Sequence, residues 1–183
     1  MKNTLFAVAL APVVLLAPLA HSAPDSPAGS EWAPLAYFVG SWDGAATNRA
    51  SVGTATREFR FIMDGAFLEE QGTTVYEMST ALPEGQTREE LGIFSYDRSR
   101  GTLALREFHP EGYVVCYSLD SLSADTTTIV FVSDSIESMP PGWRAKLQYE
   151  ILGRDECIEL FKLAPPGQAF EVFWETHFTR KED

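Results

Sequence analysis

Basic residues are scarce in this chain of 183 residues: 14 Lys and Arg stand against 26 Asp and Glu, a formal net charge of −12. Such an excess of acid repels nucleic acid and anionic lipid, and no basic patch with interleaved aromatics offsets it, which excludes nucleic-acid binding. Histidine is rarer still, at three residues, and neither His-x-His nor His-Glu-x-x-His spacing occurs, so a zinc site has no sequence basis. Calcium-loop spacing is absent, as is a Gly-x-Ser-x-Gly elbow, and no Ser, Cys or Thr sits in a recognisable nucleophile context. Sustained 3.6-residue periodicity is missing too; "EWAPLAYFVG" offers no more than a short helical turn. Only two cysteines occur, Cys116 and Cys157, each inside a strand-like run. They form either a disulfide, if their Cα atoms come within about 7 Å, or two separate thiols.

Long apolar runs are confined to the first residues. "MKNTLFAVALAPVVLLAPLAHSAPDS" places Lys2 before an apolar core from Leu5 to about Leu19, followed by the small-residue site Ala20-His21-Ser22, the pattern of a secretory signal. Cleavage is expected after Ser22. Pro12 and Pro18 break the stretch, and no later run of about 20 apolar residues supports membrane insertion. The expected organisation is a signal peptide over residues 1–22, a flexible polar leader over 23–34 and a single domain over 35–181, secreted or periplasmic.

What is abundant is two-residue alternation. Segments near 40–47, 55–63, 66–77, 88–96, 102–109, 113–120, 126–135, 142–151, 156–163 and 168–180 are rich in Val, Ile, Phe, Tyr, Thr and Trp. Compact corners separate them: Asp64-Gly65 suits a tight hairpin, and "DRSRG", "HPEG", "LGRDE" and "APPGQ" reverse the chain. About ten antiparallel strands joined in chain order, without crossover helices, predict an all-β, up-and-down barrel whose closure removes exposed edges.

Alternation also predicts faces. Phe170, Val172, Trp174, Thr176 and Phe178 point inward, as do Trp143, Ala145, Leu147, Tyr149 and Ile151, and Phe59, Phe61 and Met63. The interior is then rich in aromatic and aliphatic groups, either filled or surrounding a small, largely apolar ligand. Arg106 reads two ways. With Ala104 and Phe108 inward it is a buried charge near Glu159; with Leu103 and Leu105 inward it is a surface residue. His109, before Pro110 at a strand end, faces the mouth of the barrel with Glu107 on its side and Glu111 at the corner, a group able to move protons. The residues expected to meet a ligand are Arg106, His109, Trp143, Tyr149, Glu159 and Trp174; no catalytic residue, cofactor or metal is assigned. His177 shares the outward face with Glu171 and Glu175.

"LAYFVGSWDGAA" resembles the opening of the lipocalin-like barrels, or calycins, in which a helical turn leads to Gly-x-Trp on the first strand; Gly40, Ser41 and Trp42 match it. The resemblance implies that Trp42 packs across the barrel base. "FIMDGAFLEE", "ELGIFSYDRSRGTLALREFHPEGYV", "IESMPPGWRAKLQYEIL" and "ELFKLAPPGQAFEVFWETHFTRK" are similar, in that order, to a bacterial lipocalin-like family without an assigned reaction. That similarity implies weight for Arg106, Phe108, His109, Glu111 and Gly112 and for Gly142, Trp143, Arg144 and Ala145. More distantly the chain resembles nitrobindin, a ten-stranded haem-binding barrel, which implies haem at His177; "ETHFTRK" carries one histidine where nitrobindins show His-x-His. The expected function is binding of a small, largely apolar ligand, with a haem or nitric-oxide barrel, or a small enzyme using His109 with Glu107 or Glu111, as alternatives.

Overall fold

The computed structural model describes residues 29–182. Ten strands follow two short 3-10 turns, Ser30–Trp32 and Ala36–Phe38. They are β1 (Gly40–Asn48), β2 (Val52–Ile62), β3 (Phe67–Tyr76), β4 (Gln86–Asp97), β5 (Thr102–Phe108), β6 (Val114–Leu122), β7 (Thr128–Glu137), β8 (Arg144–Ile151), β9 (Glu156–Ala164) and β10 (Glu171–Arg180). Each is antiparallel to its sequence neighbour, and β10 returns to β1 to close an up-and-down barrel. No described helix is long and apolar enough to cross a membrane. The expected signal peptide and the leader up to residue 28 lie outside the described residues.

Turn chemistry fixes the hairpins. Met63, Asp64 and Gly65 all have positive φ, and the Ala66 amide donates to the Met63 carbonyl at 3.2 Å. That twist suits two antiparallel strands. Met63 is thereby corrected from an inward strand residue to an exposed turn residue, since β2 has ended at Ile62. Val172 is a second correction. The β10 register shifts between Val172 and Trp174, and the extra residue turns Val172 outward, 44% exposed, while Trp174, Thr176 and Phe178 keep their expected inward places.

One end of the barrel, where β1 begins and β2 ends, is closed by apolar packing. Trp32 and Phe38 enter from the two 3-10 turns: Trp32 meets Phe61 edge-on at 5.5 Å, and Phe38 packs on Phe59 and Tyr149. Part of the stretch read as a leader is thus built into the base. Trp42 is buried, its indole N–H donating to the Phe38 carbonyl at 2.7 Å, and the Arg180 guanidinium lies 4.1 Å from the centre of its ring. Cys157 points into the core and Cys116 is half-buried on β6; the two are free thiols on non-neighbouring strands.

Candidate functional site

Towards the opposite end the inward positions change character. On β2 the alternation that buries Phe59 and Phe61 also buries Arg57, and on β3 and β4 it brings in Glu70, Arg88 and Glu90. The closed topology carries these to face Glu107 of β5 and Glu159 of β9. Arg57 is the hub: its Nη2 lies 2.7 Å from Glu90 Oε2 and 3.2 Å from Glu159 Oε1. Its Nε is 3.1 Å from Glu70 Oε1, close enough for an ion pair but off the hydrogen-bond direction. Two strand glycines make room for this cluster. A Cβ on Gly72 would stand 2.5 Å from the Arg57 guanidinium, and one on Gly92 would stand 3.0 Å from the Glu70 carboxylate.

Four carboxylates, Glu70, Glu90, Glu107 and Glu159, share this space with two guanidiniums, and a low-dielectric interior does not sustain the excess negative charge. Protons restore the balance. Burial, reinforced by the neighbouring Glu159, raises the Glu70 carboxyl well above its usual range, and burial likewise raises Glu159 against the pull of Arg57. Burial pushes Glu107 up to about 8 although Tyr117 beside it pulls the other way. Arg57 stays charged: burial opposes its charge, but Glu159, Glu90 and Glu70 outweigh it. The Tyr149 hydroxyl donates to Glu70 at 3.5 Å and joins the cluster to the aromatic base.

His109 lies just above. Its ring stacks on Tyr113 at 4.4 Å, Nδ1 is 3.5 Å from Arg88 Nη2, and Nε2 is 3.7 Å from Glu107 Oε2. Because a guanidinium can only donate, Nδ1 is the acceptor and the neutral ring carries its proton on Nε2, facing Glu107. Burial pushes His109 down to about 4, and Arg88 acts in the same direction. At neutral pH the pair is therefore an uncharged carboxyl facing the N–H of an uncharged imidazole. Glu107 Oε2, His109 Nε2, the Tyr117 hydroxyl and the Trp174 indole nitrogen are all buried without a hydrogen-bond partner.

The open end lies over this network. Arg88 sits 5.0 Å from the centre of the Trp174 ring and pairs with Glu111 at 3.0 Å. Trp174 stacks flat on Phe161 at 3.8 Å. A half-open cleft of about 290 Å³ is lined there by Tyr76, Arg88, Glu111, Phe173 and Trp174 with the β1–β2 corner. A broader depression of about 770 Å³ crosses the outside of β2 to β5; its walls are mostly the outward side chains of residues such as Thr56, Glu58, Gln71 and Glu89, so it is a shallow surface rather than an enclosure.

Of the expected ligand residues, the structure brings His109, Tyr149, Glu159 and Trp174 together inside the barrel. Arg106 is elsewhere. Leu103 and Leu105 are the buried positions of β5, so Arg106 points into solvent and its reading as a partner of Glu159 is corrected; Arg57 takes that place. Trp143 is half-buried just before β8 and is not among the residues enclosing the cavity. Arg57, Glu70, Arg88 and Glu90 were missed, although extending the Phe59 and Phe61 alternation by one step already marks Arg57 as inward. His177 lies on the outer face, its side chain 57% exposed beside Glu175. The interior histidine, His109, is held between Arg88, Tyr113 and Glu107, so neither described histidine is presented to a haem in the lumen.

Fold and site define the class: a closed ten-stranded barrel with an apolar base, a buried charged network and an aromatic mouth. No protein-family model matches the chain. No curated protein matches it in sequence either. Among solved structures, Rv2717c from M. tuberculosis superposes with a TM-score of 0.60 at 18% identity, over 84% of this chain and 99% of its own, a likeness of fold alone. A de novo designed fluorescence-activating β-barrel aligns with a TM-score of 0.38 at 14% identity, over 79% of this chain and 94% of its own, too slight a likeness to bear on this chain.

Proposed function

We propose that this chain is a calycin-type binding protein whose open end takes a small ligand with an apolar, ring-shaped body. One observation carries the reading: the base is plugged by aromatic side chains, whereas the other end holds a half-open cleft of about 290 Å³ between Tyr76, Phe173 and Trp174 over the buried Arg88. Apolar walls with a few convergent polar groups are the general form of a small-molecule site. Gly40-x-Trp42 at the base supports the calycin assignment.

Native mass spectrometry of protein purified from its own source tests this. A co-purified small molecule is expected, and it should be lost in Trp174→Ala; protein that is bare from every preparation, together with no quenching of tryptophan fluorescence by ring compounds, would refute the reading. The signal-like residues 1–22 support an extracytoplasmic site of action. The mature protein is then expected to begin at Ala23 on N-terminal sequencing, and a chain beginning at Met1 would overturn it.

A second reading has its own support in the pair formed by Glu107 and His109, 3.7 Å apart with both facing atoms unpartnered. A protonated carboxyl beside an imidazole N–H suits proton donation to a bound molecule. On this reading Glu107→Gln and His109→Gln each abolish turnover of the co-purified ligand while leaving its binding intact; retained turnover in either variant excludes it.

A further inference from the structure

The mouth carries a clue to what the ligand bears at its polar end. Arg88 is almost fully buried, with a side chain 8% exposed, and its donors are divided between two directions. Inward, Nε is 3.6 Å from Glu90 and Nη2 is 3.5 Å from His109 Nδ1. Towards the mouth, Nη1 is 3.0 Å from Glu111, whose side chain is 39% exposed. Glu111 does not belong to a strand. It sits at the tip of the β5–β6 corner, where Gly112 has φ +88° and its amide donates to the His109 carbonyl at 2.9 Å. The buried guanidinium is thus met from outside by a carboxylate on a partly exposed side chain.

The mouth also differs in charge from the chamber beneath it. Arg49, which is paired with Glu171 outside the cavity, and Arg88 both line it, and Glu111 is the one carboxylate in its wall. An anion added to the site would meet Glu111 and the acidic network below. An anion that replaces Glu111 leaves the charge around Arg88 unchanged and keeps its donor paired. The rings of Trp174 and Phe173 flank the same space.

We infer that Glu111 is a resident stand-in for a ligand's carboxylate: the mouth takes a planar, ring-bearing carboxylate whose oxygens displace Glu111 from Arg88 while the ring lies against Phe173, beside the edge of the buried Trp174. The inference rests on the mouth being a ligand entrance, and it adds the ligand's charge and the exchange that admits it. A charge-assisted hydrogen bond to a fixed guanidinium favours a carboxylate over its neutral isostere.

The test is calorimetric titration of the purified protein with 2-naphthoate, 2-naphthamide and 1-naphthylmethylammonium. Naphthoate is expected to bind, and the amide and the ammonium more weakly by about tenfold or more, in line with hydrogen bonds to charged groups. Glu111→Gln, an exposed change that leaves the strands untouched, removes the internal competitor and should tighten naphthoate about tenfold by the same reasoning while leaving the amide unchanged. Arg88→Gln should remove the preference for naphthoate; Arg88→Lys, which keeps the charge, checks the result if the first variant fails to fold. Equal affinity for naphthoate and amide, preference for the ammonium, or no response of naphthoate to Glu111→Gln would overturn the carboxylate inference while ring binding stood. Failure of all three probes to bind would remove the entrance along with it.

Discussion

The two ends of this barrel are built from the same ten strands by opposite means. At the base, Trp32, Phe38, Phe61 and Phe131 are almost completely buried and satisfy each other by contact alone, a packing that demands only size and shape. In the other half the inward positions carry Arg57, Glu70, Glu90, Glu107 and Glu159, where each group depends on the charge and protonation of the next. The base tolerates small changes one at a time. The charged half does not, because removing one member strands the rest in a medium that cannot solvate them. A fold that needed only stability would fill both halves with apolar groups, so the costly half is where function is expected.

The sharpest way to break this contrast is Arg57→Met. It should destabilise the protein by about 3–5 kcal/mol, the usual cost of breaking a buried ion pair, and most of the loss should return when Glu70 and Glu159 are also changed to Gln. Urea denaturation measures both. If the single variant is as stable as the parent, the network is not what holds the upper half.

Gly72→Ala presses a methyl group onto the Arg57 guanidinium and should cost about 1–3 kcal/mol as overpacking does. Thermal melting checks it, and a neutral effect would mean that the guanidinium has room to withdraw.

Proton linkage separates the halves in a third way. Glu107 rises from 4.5 to about 8 on folding, so the folded state holds more protons in that interval and stability falls as pH rises through it. His109 is displaced from 6.5 to about 4, so it loses stability as pH falls through that range and opposes Glu107 there. Glu70 and Glu159 shift in the direction of Glu107 and add to its effect. A net decline in stability is therefore expected between pH 6.5, above which His109 is neutral in both states, and pH 8. The Glu107 share of that decline is roughly 1–2 kcal/mol at 1.36 kcal/mol per pKa unit. Glu107→Gln should make it shallower in denaturation series across that range, whereas an unchanged slope would place the titration elsewhere.

Phe131→Leu in the base should cost about 1 kcal/mol, as near-conservative core changes do, and should leave the pH slope intact. Arg106→Ala, on the outer face, should lie within about 0.5 kcal/mol of the parent. A larger loss at Arg106 would contradict its exposure.

The strands were legible because their signal is local. "REFRFI" alternates on its own, and Asp64-Gly65 announces the turn that follows it. Trp174 and Tyr149 were placed correctly by the same alternation. Val172 was not, because a bulge displaces one residue without leaving a clear trace in composition. Arg106 and Arg57 show where the site became illegible: both sit on strands, both are arginines, and only the faces of their neighbours distinguish the buried one. A preference for exposed charge makes the surface reading the safe default for every arginine, so the residue at the centre of the network looked ordinary.

The sequence by itself determined the period-two pattern, the turns and hence ten antiparallel strands in chain order, since strand periodicity and positive-φ corners act over a few residues. Only the tertiary structure decided which charges meet. Arg57 and Glu159 are 102 residues apart and become neighbours when the sheet closes on itself. Burial then supplies what no local pattern encodes, a low dielectric that moves protons onto Glu107 and off His109.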